Sequence, residues 1–425
     1  MKIELKQNIL NYKVLVKFVS GSLFNSLTQL ISNIIILRII EPGELGIWNS
    51  LIIIQTYALF FQAGVLNGLN RELPFYLGKN DDEKANQYAS SSLYFFLIGI
   101  VIFLIVSLIL GLFYFDNLSK IWIYTYSAII IITSSKFYEN YLTSTFRSKN
   151  SFDSLSTVYF IRGILQLLTI LLIIYFKYEG YILRMILIAI LTMVMLHIIR
   201  PLKVKPKFDI RPLWDLMKIG LPIFGLIYIY NSSLTIDRLI FIKKSNVETL
   251  GYYSLGLMAL SAFKILPESL TNYLYPRLSF KLGEGKSNHD LITLSLKSNV
   301  IVFVFMISFA VIGYFLLPPV ITKFFPTYVN GIKAAQILIV SGAFIGGSIG
   351  NNVITSMKAW KQLSFIFITG SFLNVLCIFL GYKLLDDITI GISIGVLFSS
   401  ILFMIISNIT LYSMNKDNMS FNIIN

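Results

Sequence analysis

A chain of 425 residues that is 56% hydrophobic and 13% charged, with a mean hydropathy of +0.75, is not a soluble globular protein; those carry about 25% charged residues. The net charge of +14 would point to nucleic acid in a soluble chain, but in an apolar one it marks basic loops beside a membrane, and no nucleic-acid partner is expected. A single cysteine, Cys377, and two distant histidines, His197 and His289, exclude a disulfide framework and leave no expected metal site or cofactor.

The apolar runs are continuous and rich in Leu and Ile rather than alternating, so helices are expected, not barrel strands. Twelve spans are predicted: 18–40, 47–69, 89–113, 121–142, 157–176, 182–199, 221–242, 251–274, 300–317, 334–357, 365–384 and 388–414. The first follows four lysines but has no small-residue cleavage site, and reads as a span, not a signal peptide. Short connections leave no room for a folded extramembrane domain. The longest, 200–218, divides the chain into an N-lobe, 1–205, and a C-lobe, 206–425, of six spans each. The fold class expected is thus an all-α integral membrane protein of twelve helices in two six-helix pseudo-symmetric lobes.

Basic residues fix the expected orientation. Twenty-two Lys and Arg fall on the side of the N-terminus, nine on the other, and four inside spans. Both termini are therefore expected on the cytoplasmic face.

The two halves repeat a hairpin. Leu45-Gly46-Ile47-Trp48 and Leu77-Gly78-Lys79 recur as Leu250-Gly251-Tyr252-Tyr253 and Leu282-Gly283-Glu284, each displaced by 205 positions. Asn140-Tyr141-Leu142-Thr143-Ser144 also matches Asn352-Val353-Ile354-Thr355-Ser356. Six spans per half make this a parallel repeat about an axis along the membrane normal.

Polarity enters the spans selectively. Ser22, Asn25, Gln29 and Ser32 line one face of the first span, and Tyr228, Asn231, Thr235 and Arg238 one face of the seventh. Matched stripes suggest a shared wet cavity; the alternative is that they bond neighbouring helices. The ionisable groups within spans and away from their ends are Lys136, Glu139, Arg162, Asp237, Arg238, Lys264 and Glu268, a slight cationic excess suited to an anionic ligand. Lys136–Glu139 and Lys264–Glu268 have the spacing to pair within their own helices, which would make them structural. Arg71 and Arg277, at the same ends of the second and eighth spans, are either phosphate contacts or interfacial anchors.

Leu45-Gly46-Ile47-Trp48-Asn49, the run Gly64 to Arg71 and Leu77-Gly78-Lys79-Asn80-Asp81 resemble the first hairpin of Wzx-type polysaccharide (O-antigen or capsule) flippases. So do Gly220-Leu221-Pro222, Ile236-Asp237-Arg238, Leu250-Gly251-Tyr252-Tyr253 and Pro276-Arg277-Leu278-Ser279. These belong to the multidrug/oligosaccharidyl-lipid/polysaccharide (MOP) exporter superfamily. The resemblance implies a V-shaped, MATE-like fold and a bacterial inner-membrane protein that moves undecaprenyl-pyrophosphate-linked oligosaccharide by alternating access. Membrane lipids would surround it, and a polysaccharide polymerase and glycosyltransferases would be its functional partners. The family's cationic cavity would fall on some of Arg71, Lys136, Arg162, Arg238 and Lys264. Asn25, Gln29, Asn231 and Thr235 would meet the sugars, and Glu139, Asp237 or Glu268 would couple transport to an ion. No bond is made or broken in this reading, so no catalytic residue is assigned. Two other readings compete: an ion-coupled drug exporter of the same superfamily, which needs an anionic pocket, and a polysaccharide polymerase or ligase, which needs a large outward loop.

Overall fold

In lipid a backbone amide has no water to bond, so each crossing segment must satisfy its own hydrogen bonds, which an apolar helix does. The computed structural model describes the backbone of residues 2–114, 119–283, 287–357 and 359–424, and their side chains except at 2–16, 19, 114, 269, 272–277, 279–283 and 417–424. These residues contain no strand.

The helices are α1 (Lys2–Ile39), α2 (Pro42–Leu51), α3 (Ile53–Ala58), α4 (Val65–Gly78), α5 (Asp82–Tyr114), α6 (Lys120–Ser148), α7 (Phe152–Leu168) and α8 (Ile170–Ile198). They continue with α9 (Ile210–Ser233), α10 (Ile236–Lys244), α11 (Val247–Gly283), α12 (Asn288–Phe324), α13 (Ile332–Gly346), α14 (Asn351–Ser356), α15 (Trp360–Leu384) and α16 (Ile388–Ile424). Short 3-10 turns at Leu59–Gln62 and Pro326–Gly331 join α3 to α4 and α12 to α13.

Among the described residues, ten helical stretches are long and apolar enough to cross a membrane. The remaining two of the twelve predicted spans are also helical. One lies in α6, diluted by Ser, Thr, Lys136 and Glu139; the other begins in α7, only 17 residues long, and continues into α8. The α8 run is itself two helices: Lys177 takes a left-handed φ of 48°, and a Cβ on Gly180 would overlap the Leu172 carbonyl. Residues eight apart on one straight helix stand about 12 Å apart, so the chain folds back at Lys177. Outward faces are apolar, as lipid contact requires: α5 exposes Leu108, Leu112 and Phe113, and α12 exposes Val300, Ile301 and Phe315.

The chain forms two compact units. The first comprises Met1–Ile40 and Leu51–Tyr228, the second Glu41–Ser50 and Ile229–Asn425. The start of α9 stays with the first unit because Gly220 and Leu216 lie against Gly64 and Gly68 of α4. Gly64 has φ 74°, and a Cβ there would meet the Gly220 backbone at 2.7 Å, so glycine is required twice over. The core of this unit includes Leu69, Leu73, Ala85, Leu142, Phe146, Leu155, Leu196 and Leu216.

The segment 41–50 belongs to the second unit for the same kind of reason. Gly46 lies against Val247 and Gly251 against Pro42, each so close that a Cβ would overlap the opposing carbonyl. Around this crossing the unit packs Phe241, Leu250, Tyr253, Leu338, Ile378 and Ile392.

Among the described residues, helices of the second unit are broken between α9 and α10 and between α13 and α14, and side chains repair both breaks. Between α9 and α10 the freed Ser233 carbonyl accepts from Asn374 Nδ2 at 2.7 Å, and Ser399 Oγ donates to Asn374 Oδ1 at 2.8 Å. Between α13 and α14 the Gly350 N–H donates to Asn299 Oδ1 at 2.6 Å, Asn299 Nδ2 donates to Asn408 Oδ1 at 2.9 Å, and Asn408 Nδ2 donates to the Gly347 carbonyl at 3.0 Å. Such breaks persist at membrane depth only where neighbouring groups re-satisfy the backbone.

Candidate functional site

In the first unit, α6 carries Lys136 and Glu139 one turn apart, and α7 brings Arg162 to the same carboxylate. Lys136 Nζ lies 3.0 Å from Glu139 Oε1, and Arg162 Nη1 lies 3.4 Å from that same oxygen. Glu139 is buried, Arg162 half-buried and Lys136 exposed. A buried carboxylate without partners would cost several kcal/mol, so Glu139 requires the pair. The reverse does not hold: one negative charge cannot neutralise two positive ones, and the trio keeps a net positive charge. The Arg162 Nε is buried without a hydrogen-bond partner among the described residues. Tyr159, one turn before Arg162, lies within electrostatic reach of Arg147, Glu139 and Arg162.

One turn further along α7, Gln166 joins three helices. Its Nε2 donates to Asn25 Oδ1 at 3.3 Å, its Oε1 accepts from Thr28 Oγ1 at 3.0 Å, and its backbone carbonyl accepts from Ser32 Oγ at 3.4 Å and from Arg184 Nη2 at 3.2 Å. Arg184 is 3% exposed and has no ion-pair partner among the described residues, which makes it a buried cation held by the Gln166 carbonyl and the Met185 sulfur. The predicted stripe on α1 therefore divides: Asn25 and Ser32 turn to α7, while Gln29 is exposed.

In the second unit, Asp237 and Arg238 open α10 just past the helix break. Asp237 is buried; its Oδ1 accepts from the Arg238 N–H at 2.7 Å, and its Oδ2 accepts from the Tyr253 hydroxyl at 2.9 Å. Lys264 on α11 is half-buried and stands within electrostatic reach of Glu268, Arg238 and Asp237; Glu268 is exposed. Thr235 is buried at the break, its Oγ1 donating to the Ser232 carbonyl at 2.8 Å, and Asn231 is half-buried.

Two clusters thus emerge from the predicted residues: Lys136, Glu139 and Arg162 in one unit, and Asp237, Arg238, Lys264 and Glu268 in the other. Arg71 joins neither. It is exposed on α4 and pairs with Glu72 at 3.5 Å. The side chain of Arg277 lies outside the described residues. Sequence reasoning passed over Tyr159, Gln166, Arg184, Tyr253 and Asn374. Tyr253 was within reach, since it closes the repeated Leu250-Gly251-Tyr252-Tyr253 motif. Among the described residues, no group of three His, Cys, Asp or Glu is placed to hold a metal.

Comparison with known proteins decides the family. A family model described as "Polysaccharide biosynthesis protein" matches residues 35–330, more than half of the chain. The chain belongs to that family. No curated protein matches the sequence. Several solved structures share the fold of this polysaccharide biosynthesis protein. An inward-facing multidrug resistance MATE family transporter of the MOP superfamily aligns with a TM-score of 0.72 at 14% identity, over 93% of this chain and 96% of the other. An outward-facing structure of a transporter so described aligns with a TM-score of 0.68 at 14% identity, over 96% and 97%. The lipid II flippase MurJ, inward closed, aligns with a TM-score of 0.71 at 17% identity, over 95% and 89%. The chain is a multi-pass membrane protein with the fold of the MOP superfamily.

Proposed function

We propose that the protein is a flippase that carries undecaprenyl-pyrophosphate-linked oligosaccharide repeat units across the bacterial inner membrane, for the synthesis of a surface polysaccharide. The observation that carries this reading is the trio on α6 and α7, where two cations share one buried carboxylate. A group with surplus positive charge suits a diphosphate, which a fork-shaped guanidinium such as that of Arg162 can grip through two parallel bonds. Membership of a polysaccharide biosynthesis family supports the sugar-bearing half of the substrate.

In this reading the pyrophosphate meets Arg162 and Lys136, then Arg238 and Lys264, while Arg71 meets it on arrival. Asn231 and Thr235 face the sugars, together with Asn25 and Gln29, and the polyprenyl tail stays in lipid. Both termini lie in the cytoplasm, and 1–205 and 206–425 act as the two lobes of an alternating-access cycle. Glu139, Asp237 and Glu268 are the groups that would bind a coupling ion. The chemistry is transfer without bond cleavage, so the protein is not an enzyme. A polymerase and glycosyltransferases act before and after it.

The test is deletion of the gene in a strain lacking related flippases, followed by location of the repeat units. Lipid-linked units should accumulate on the cytoplasmic leaflet and the surface polymer should vanish. Units that still reach the outer leaflet at the normal rate overturn the reading. Purified protein in liposomes separates it from a polymerase or ligase, because a flippase relocates the lipid and leaves it unchanged.

A further inference from the structure

The segment between α8 and α9 is not helical, yet it is held in a defined course along α5. The Lys207 N–H donates to the Ser90 carbonyl at 3.4 Å, the Ser90 hydroxyl donates to the Lys205 carbonyl, and the Phe208 ring packs tilted against Tyr94 with ring centroids 5.4 Å apart. Ser90 and Tyr94 are one turn apart on α5, so the segment docks on one face of that helix. Leu202 is buried and Val204 half-buried, while Lys203, Lys205 and Lys207 are exposed. In extended chain, alternate residues point the same way, and three such positions span about 13 Å. None of the three lysines has an ion-pair partner among the described residues. The start of α9 adds Ile210, Arg211, Trp214 and Lys218, all exposed, and Lys218 lies over the Trp214 ring at 5.7 Å. Tryptophan and long basic side chains together are the composition of a membrane interface, where the ring sits at headgroup depth and the cations meet phosphate.

We propose that Lys203, Lys205 and Lys207, with Arg211 and Lys218, form a docking strip for the headgroups of anionic phospholipid. Two observations set the strip apart from an ordinary basic loop. Its backbone is tied down at Ser90, so binding costs little ordering of the chain. Its three cations occupy alternate positions, separated by the half-buried Val204 and by Pro206, so each is exposed and none neighbours another in sequence. The exposed Trp214 and Phe208 supply the apolar half of the contact. The inference does not depend on what the protein transports.

The experiment uses the full chain purified in detergent and titrated with phosphatidylglycerol or phosphatidylcholine, with bound lipid counted by native mass spectrometry. The wild type should retain phosphatidylglycerol in preference to phosphatidylcholine. A Lys203→Gln, Lys205→Gln, Lys207→Gln triple variant should lose that preference by about tenfold or more. A triple Lys→Arg variant should keep it, and its retention confirms that the segment still folds. Equal retention of the two lipids by the wild type, or unchanged preference in the Gln variant, overturns the proposal. A third arm uses a polyprenyl pyrophosphate: selection of that lipid with no preference for phosphatidylglycerol also overturns it.

Discussion

Asn49 donates from its side-chain amide to the Ser254 hydroxyl at 2.8 Å, and the two residues are 205 positions apart, the interval that relates the repeated hairpins. The same interval relates Gly46 to Gly251 and Pro42 to Val247. Gly46 rests on Val247, and Gly251 rests on Pro42. Equivalent residues of the two repeats therefore meet reciprocally, as they do across a two-fold axis. The repeat is a packing relationship as well as a pattern in the sequence, and glycine is the residue that permits it.

Gly46→Leu and Gly251→Leu should each lower the unfolding temperature in detergent by several degrees. The obstacle is backbone, so no rotamer relieves the overlap, and overpacking of this kind costs about 1–3 kcal/mol or more. Gly43 has nothing within 4 Å of its added Cβ, so Gly43→Ala serves as the control and should change little.

Arg162→Ala should impair transport of lipid-linked repeat units by about tenfold or more, with expression intact, since one lost charge-assisted contact is worth about 1.5–3 kcal/mol. Glu139→Ala removes the anchor of both cations, and combining it with Arg162→Ala should prove non-additive because the residues share one contact. The measurement is the rate of unit translocation in liposomes beside the yield of folded protein. Equal rates in wild type and Arg162→Ala would remove the trio from the transport path.

Tyr253→Phe should destabilise the second unit, because the buried Asp237 Oδ2 loses its donor; leaving such an oxygen unpaired costs about 1–3 kcal/mol. Asp237→Asn keeps the shape and an acceptor, so its thermal stability should change less. If Asp237 serves ion coupling, Asp237→Asn should still abolish the dependence of transport on an ion gradient. Thermal unfolding and gradient-driven uptake, measured together, separate the two roles.

Asn374→Leu should destabilise the protein by about 1–3 kcal/mol, since the Ser233 carbonyl then faces an apolar neighbour inside the bundle. Ser399→Ala should cost less, because Ser399 orients Asn374 and does not itself touch the broken helix. Unfolding followed by tryptophan fluorescence in detergent ranks the two.

The helical course of the chain was legible because a bilayer imposes length and apolarity on each crossing; even the fold-back at Lys177 fell between two predicted spans. Lys136 with Glu139 was legible from spacing along one helix. Arg162 was singled out without a partner, because the partner sits on another helix and no local period encodes that. The polar stripe on α1 shows the same limit: Asn25 and Ser32 bond α7, yet Gln29, in register with them, is exposed. A polar side chain in a span declares that something polar faces it, not whether that is a neighbouring helix or water. The breaks repaired by Asn299, Asn374 and Asn408 were missed for a related reason, since their carbonyl partners lie far away in sequence.

The allotment of 41–50 to the second unit has a practical corollary. The polypeptide passes between the two units at 40/41, at 50/51 and again at 228/229. A single protease nick at any one of these leaves the units covalently tethered. Two polypeptides made by splitting the gene near its midpoint would each lack a strip of their own unit, and would have to trade α2 for the start of α9 before either could complete its core.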